Sequence, residues 1–147
     1  MLDVANGIRA EVDRASAVFR GWTDADVSAA QGVGKWSRKQ ILGHLIDSAA
    51  NNHQRVVRAQ FSSSLVFGYD QAAWVEANAY QHRVWSELVE LWIALNRHFA
   101  AAVEVVPPAK LSTPCAAGGE QDAKPLEWWI RDYVRHLKHH LEQIEGG

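Results

Sequence analysis

Leu126-Glu127-Trp128-Trp129-Ile130-Arg131-Asp132-Tyr133-Val134-Arg135-His136-Leu137-Lys138-His139-His140-Leu141-Glu142-Gln143-Ile144 is the stretch that decides the fold class. Trp129, Tyr133, Leu137, Leu141 and Ile144 recur three or four residues apart. That is the period of an amphipathic helix with one face turned to a core. Pro125 stands just before it, where the first turn of a helix has no use for an N–H. The spacing predicts a helix from about 126 to 144. A second stripe runs along the same helix through Trp129, Asp132, Tyr133, His136, His140 and Gln143. His136 and His140 are one turn apart on one face, a spacing at which two imidazoles can share a metal ion. A third imidazole from another helix would complete a three-histidine site with one face open, and His44 is the candidate. Open metal sites do chemistry, whereas closed ones mainly hold structure.

Working outward, the remaining segments are also helical. Residues 3–20 put Val4, Ile8, Val12, Ala15, Val18 and Phe19 on one stripe. Ser37-Arg38-Lys39-Gln40 has the form of a capping box and predicts a second helix running to about Gln60. It carries Ile41, Leu45, Val56 and Val57 on its apolar side, and His44, Asp47, Ser48, Asn51 and Arg55 on a polar stripe. The segment 61–68 reads as a connection, and Asp70 is placed to cap a short helical piece bearing Trp74 and Tyr80. A third long helix, from about 83 to 103, carries Val84, Leu88, Leu91, Leu95 and Phe99. Pro107-Pro108 ends it, and 109–124, with Pro114 and Gly118-Gly119, is expected to be loop. Strand-type alternation is absent. The expected fold is all-α: one four-helix-bundle domain over residues 1–147, with a long connection between the second and third helices.

Composition narrows the function. Of 147 residues, 48% are hydrophobic and 22% charged, with a net charge of −2, so the chain can build a core and gives no general reason to expect nucleic acid or a membrane surface as partner. No apolar run is long enough to span a bilayer. The first residues lack the apolar stretch of a signal peptide, and Cys115 is the sole cysteine, so a cytoplasmic protein without an intrachain disulfide is expected. Nucleotide-binding glycine loops, Glu-x-x-His, His-Glu-x-x-His and Gly-x-Ser-x-Gly are missing.

Each candidate has a plainer reading. An isolated His-x3-His pair is more often solvated than metal-bound, and a lone His44 more often a hydrogen-bonded core histidine. His139 cannot face the same way as His140 and is read as an outward member. Asp47, three residues after His44, is placed to orient it, with a solvated helix charge as the alternative. Tyr133, one turn before His136, could donate to a bound oxygen or simply fill the core. His53, His82 and His98 show no paired helical spacing and are read as surface or hydrogen-bonded residues. Cys115 is read as a free buried thiol.

The segments Gly34-Lys35-Trp36-Ser37-Arg38-Lys39-Gln40-Ile41-Leu42-Gly43-His44-Leu45-Ile46-Asp47-Ser48, Tyr69-Asp70-Gln71-Ala72-Ala73-Trp74 and Tyr133–Ile144 together resemble the DinB/YfiT-like superfamily, the last two its YfiT branch. The order of elements matches over nearly the whole chain. The resemblance implies a four-helix bundle holding one divalent metal through His44, His136 and His140. It further implies a homodimer and the activity of a metal-dependent hydrolase. Relatives also include S-transferases and isomerases that use thiols such as bacillithiol or mycothiol. Thr113-Pro114-Cys115 departs from the family pattern, which has His-Pro there. The family name refers to DNA damage, but nothing in the chain suggests DNA binding.

The expectation is therefore an enzyme acting on a small molecule, with zinc or nickel as the first candidates for the metal and iron or manganese after them. Three neutral imidazoles leave the full charge on the cation, enough to acidify a water from ~16 to about 7. Asp47 and Tyr133 are the candidate catalytic side chains. The alternatives are a thiol-dependent S-transferase or isomerase on the same site, and a non-catalytic metal-binding bundle. Seven tryptophans, Trp85, Trp92, Trp128 and Trp129 among them, are many for one small core and support the expectation of a homodimer.

Overall fold

The computed structural model describes residues 1–146. In chain order the elements are α1 (Leu2–Phe19), α2 (Asp24–Val27), α3 (Arg38–Ala59), β1 (Leu65–Val66), α4 (Gln71–Ala77), α5 (Trp85–Glu104), β2 (Pro114–Ala116), β3 (Lys124–Pro125) and α6 (Leu126–Gly146). The four expected long helices are α1, α3, α5 and α6. α1 packs on α5 and α6, and α3 packs on the same two. Helices adjacent in sequence, α1 with α3 and α5 with α6, therefore stand diagonally across the bundle. That is why the connections 20–37 and 105–125 are long: each must cross an end of the bundle rather than turn back on a neighbour.

Local chemistry sets the helix starts. Ser37 Oγ accepts from the Gln40 N–H, and Gln40 Oε1 accepts from the Ser37 N–H at 3.0 Å, so the capping box opens α3 as expected. Asp70 Oδ1 accepts from the Ala73 N–H at 3.1 Å and opens α4. The expected short helix stops at Ala77, and Tyr80 lies beyond it in a 3-10 turn, Tyr80–His82. A further short helix, α2, was not anticipated. Its signal is Thr23-x-x-Asp26, with Asp26 Oδ2 accepting from the Thr23 N–H at 2.7 Å.

The core is one continuous cluster. Ile8, Val12 and Phe19 of α1, Leu42 and Leu45 of α3, Leu88, Trp92 and Phe99 of α5, and Leu137 and Leu141 of α6 are fully buried. Phe19 sits 5.6 Å from Trp85 and 5.7 Å from Trp92, ring centre to ring centre, and Trp85 Nε1 donates to the Phe19 carbonyl at 2.8 Å. Trp85 and Trp92 are thus core residues of one chain and supply no surplus surface for a partner. Trp128 is exposed, and Val18, Val84 and Leu91, assigned to the buried stripes from spacing, are also exposed.

The expected all-loop connections contain a small sheet. β2 pairs in parallel with β1 and antiparallel with β3, in the order β1-β2-β3. Strands of two or three residues are too short to show alternation, so sequence periodicity cannot reveal them. The sheet ties the 60–69 segment to the 111–125 segment beside α3 and α6. Among the described residues, no helix is long and apolar enough to cross a membrane.

Candidate metal centre

The polar stripes of α3 and α6 face one another inside the bundle. His44 comes from the second turn of α3, and His136 and His140 from successive turns of α6. Their ring centres are 4.9 Å (44–136), 4.7 Å (44–140) and 4.4 Å (136–140) apart. One ring nitrogen from each lies within 4.8 Å of the other two, and His44 Nε2 and His136 Nε2 are 3.0 Å apart. Gly43 is required beside His44: a Cβ there would come within 2.1 Å of the Tyr80 ring, which lies flat on this part of α3.

Burial sets the protonation state. His44 is buried, and loss of solvent together with the neighbouring His136 and His140 pushes its pKa down to about 3. Burial, with His140 beside it, pushes His136 down to about 4. Burial also lowers His140. All three are therefore neutral at neutral pH and keep a lone pair each. His140 Nδ1 donates to Gln143 Oε1 at 2.7 Å, which leaves its Nε2 as the acceptor nitrogen. The Gln143 amide in turn donates to His139 Nε2 at 3.1 Å, so His139 is exposed and stands behind His140. Trp36, half-buried, packs its ring 5.4 Å from that of His44 and covers it from solvent.

This donor set fits a divalent cation. Two imidazole nitrogens bound to one ion at ~2.0–2.1 Å lie on the order of 3 Å apart, as the Nε2 atoms of His44 and His136 do. In a ring pair without a cation, one of these nitrogens must donate to the other. His44 Nδ1 and His136 Nδ1 are buried without hydrogen-bond partners. Buried polar atoms left in this way are costly unless the rings gain something else.

The two candidate catalytic side chains are committed elsewhere. Asp47 is buried, and its Oδ1 accepts from Tyr80 Oη at 2.7 Å and from Asn78 Nδ2 at 3.1 Å. The expected hydrogen bond from His44 to Asp47 is not formed: Asp47 lies on the side of α3 that meets the Tyr80 turn. Burial raises the Asp47 carboxyl, while Tyr80 and Asn78 pull it back. Tyr133 is buried, its hydroxyl donates to Asn96 Oδ1 at 2.5 Å, and burial raises its pKa. Gln143 is a partner that the sequence placed on the right stripe without a role. His53 and His98, read as separate, meet across α3 and α5 with ring centres 4.4 Å apart. Cys115 is buried in β2, and burial raises its thiol.

Two cavities flank the centre. One of about 720 Å³ opens on the His140 side and is lined by Gln31, Trp36, Ile41 and Glu142. The other, of about 130 Å³, lies on the His136 side and is lined by Ser48, Asn52, Arg55, Tyr69 and Trp129.

The whole fold has a close counterpart among solved structures. YfiT from Bacillus subtilis, described as a probable metal-dependent hydrolase with an unusual four-helix bundle topology, superposes with a TM-score of 0.82. The match covers 99% of this chain and 82% of that one at 22% identity, which establishes likeness of fold. Among curated protein sequences none matches. The family model of the DinB superfamily matches residues 8–144, the span that holds all three histidines, and the chain belongs to that superfamily.

Proposed function

We propose that this protein is a metal-dependent hydrolase of a small molecule, with one divalent cation held by His44, His136 and His140. The observation that carries the reading is the convergence of three neutral imidazoles, on two helices, at the boundary between two cavities. Bound there, the cation supplies Lewis acidity, which makes a water nucleophilic at neutral pH and polarises the bond under attack. The chain's own residues do the rest. Burial keeps the three rings unprotonated, so protons do not compete for their lone pairs. Gln143 fixes the tautomer and angle of His140. Trp36 excludes water from the His44 side. Asp47 and Tyr133 act as positioning residues: Asp47 pins the Tyr80 turn to α3, and Tyr133 braces α6 against Asn96 of α5. Zinc and nickel suit the all-nitrogen set best. The active form is a cytoplasmic homodimer, with exposed Trp128 as the aromatic available for its interface.

The test couples elemental analysis with a screen of ester and amide substrates, run without added thiol. The wild type is expected to carry one metal per chain, to lose turnover on chelation and to regain it with zinc or nickel. His136→Ala is expected to lose both metal and turnover. Full metal retention in that variant, or equal turnover by chelated wild type, would sink the assignment.

A further inference from the structure

The smaller cavity contains a cation with no counterion. Arg55, on the same face of α3 as His44, is only 5% exposed, and among the described residues it is the one buried arginine. Its guanidinium lies over the Trp129 ring, 4.2 Å from the ring centre. Nη1 donates to Asn52 Oδ1 at 2.5 Å and Nη2 to the Phe67 carbonyl at 2.8 Å, both neutral acceptors. Its Nε–H is buried and donates to nothing. A guanidinium has five N–H donors and stays charged in proteins, so both a full charge and unused donors border the cavity.

Among the described residues none makes a contact ion pair with it. Asp132 also lines the cavity and acts on Arg55 through its charge, but it makes no ion pair with Arg55: its Oδ1 is held by Arg135, at 2.9 Å to Nε and 2.6 Å to Nη2. Tyr69 is pushed up to about 12 by burial, so its phenol is neutral. The Cys115 thiol is raised as well. By contrast, Arg9, Arg14, Arg20, Arg97, Arg131 and Arg135 each pair with a carboxylate on the surface, where a partner is needed least. Desolvating a cation without a partner is costly, and a fold keeps such a cost where a ligand completes the pair.

We propose that Arg55 recognises the carboxylate of a small organic-acid substrate bound in the 130 Å³ cavity, with the rest of that substrate directed past His136 toward the metal centre. A planar carboxylate suits a guanidinium whose face is already covered by Trp129 and whose Nε–H has no partner. The direction toward His136 rests on the hydrolase reading; the anion site does not.

The experiment is a titration of the full chain, metal-free, with propionate at constant ionic strength, observed through the arginine Nε–H resonances by ¹⁵N NMR. Arg55→Lys, which keeps the charge and loses the fork, assigns the signal. The Arg55 Nε–H is expected to shift saturably with propionate, and not with propionamide, its neutral counterpart. If the variant does not fold, the propionate–propionamide contrast on wild type still decides, since one buried arginine Nε–H should respond and the exposed ones should not. The absence of a saturable Arg55 shift overturns the proposal, and tighter binding of inorganic phosphate than of propionate overturns the carboxylate assignment. An Arg55 shift that appears only once zinc is added puts the anion on the metal instead and overturns the proposal. Repeating the titration in His136→Ala separates the two readings: propionate binding without metal binding leaves Arg55 standing, whereas metal binding in wild type without a propionate response removes Arg55 alone.

Discussion

The α1–α5 wall of the bundle and the α3–α6 wall are built from helices of the same length class and opposite character. On the first, Ile8, Val12, Phe19, Leu88, Trp92 and Phe99 are fully buried, and the polar atoms among them are few. On the second, His44, Asp47, Asn51 and Arg55 are buried along α3, with His44 meeting His136 and His140 of α6. Unpartnered buried atoms are concentrated there: His44 Nδ1, His136 Nδ1, Asp47 Oδ2 and Arg55 Nε, against Trp92 Nε1 on the other wall. Burying a polar group without a partner is destabilising, and apolar side chains of similar volume would serve a core better. One wall stabilises the molecule, and the other holds the buried polar groups from which the candidate metal and anion sites are built.

Four changes would break or sharpen this contrast. The largest effect belongs to the apolar wall. Trp92→Ala is expected to cost about 3–5 kcal/mol, by lost burial and the cavity left behind. If the variant folds, its metal content should be unchanged. Urea unfolding with elemental analysis reads both, and a selective loss of metal at unchanged stability would erase the division of labour.

Next comes Gln143→Leu. It removes the acceptor that fixes His140 and should weaken metal affinity roughly 10–100-fold. The stability of the metal-free protein should hardly move. Competition with a chelator of known affinity measures the change; wild-type affinity would show that His140 needs no such partner.

The pH dependence of the metal-free protein is smaller and has a definite sign. His44 and His136 are held at about 3 and about 4, below the 6.5 of a free histidine. As pH falls through 6.5 the unfolded chain takes up protons that the folded chain refuses. Stability is therefore fully present above 6.5 and declines toward about 4. His53, lowered by burial and by His98, adds to the slope. Asp47, whose carboxyl is raised, works in the opposite sense at the acid end. Urea midpoints at pH 7 and pH 5 are expected to differ in that direction, and His136→Ala should flatten the slope. A midpoint that does not move would mean that the rings are solvated in the folded state, and one that rises on acidification would mean that they gain a proton there more readily than in the unfolded chain.

His139→Ala is the smallest. The ring is exposed and meets the far side of Gln143 and the His140 ring at 5.1 Å, without a nitrogen in the centre, so metal stoichiometry and melting temperature should stay within error. A lost metal would put His139, rather than His140, in the centre.

The apolar wall and the start of α3 were readable in advance because they depend on local patterns. A period of 3.6 marks α1, α5 and α6, and Ser37 with Gln40 marks a helix start wherever the chain later goes. The small sheet left no such trace, since Leu65–Val66 and Lys124–Pro125 are two residues each and are defined by what they pair with. Thr23-x-x-Asp26 was a readable cap that went unused. Spacing also misjudged Val18 and Leu91, which lie at the edges of apolar stripes where burial depends on the neighbouring helix.

The sequence by itself determined that the chain is helical, where the long helices begin, and that His136 and His140 project from one face of the last one, because helix geometry relates residues three or four apart. Tertiary structure alone decided that His44, 92 positions earlier, lies 3.0 Å from His136. It also decided that Asp47 turns to Tyr80 rather than to His44, that Trp85 and Trp92 vanish into one core, and that Arg55 is buried over Trp129. These are contacts between elements whose relative placement is set by the packing of all four helices at once. Such packing is a cooperative property of the whole chain, and no local window of residues encodes it.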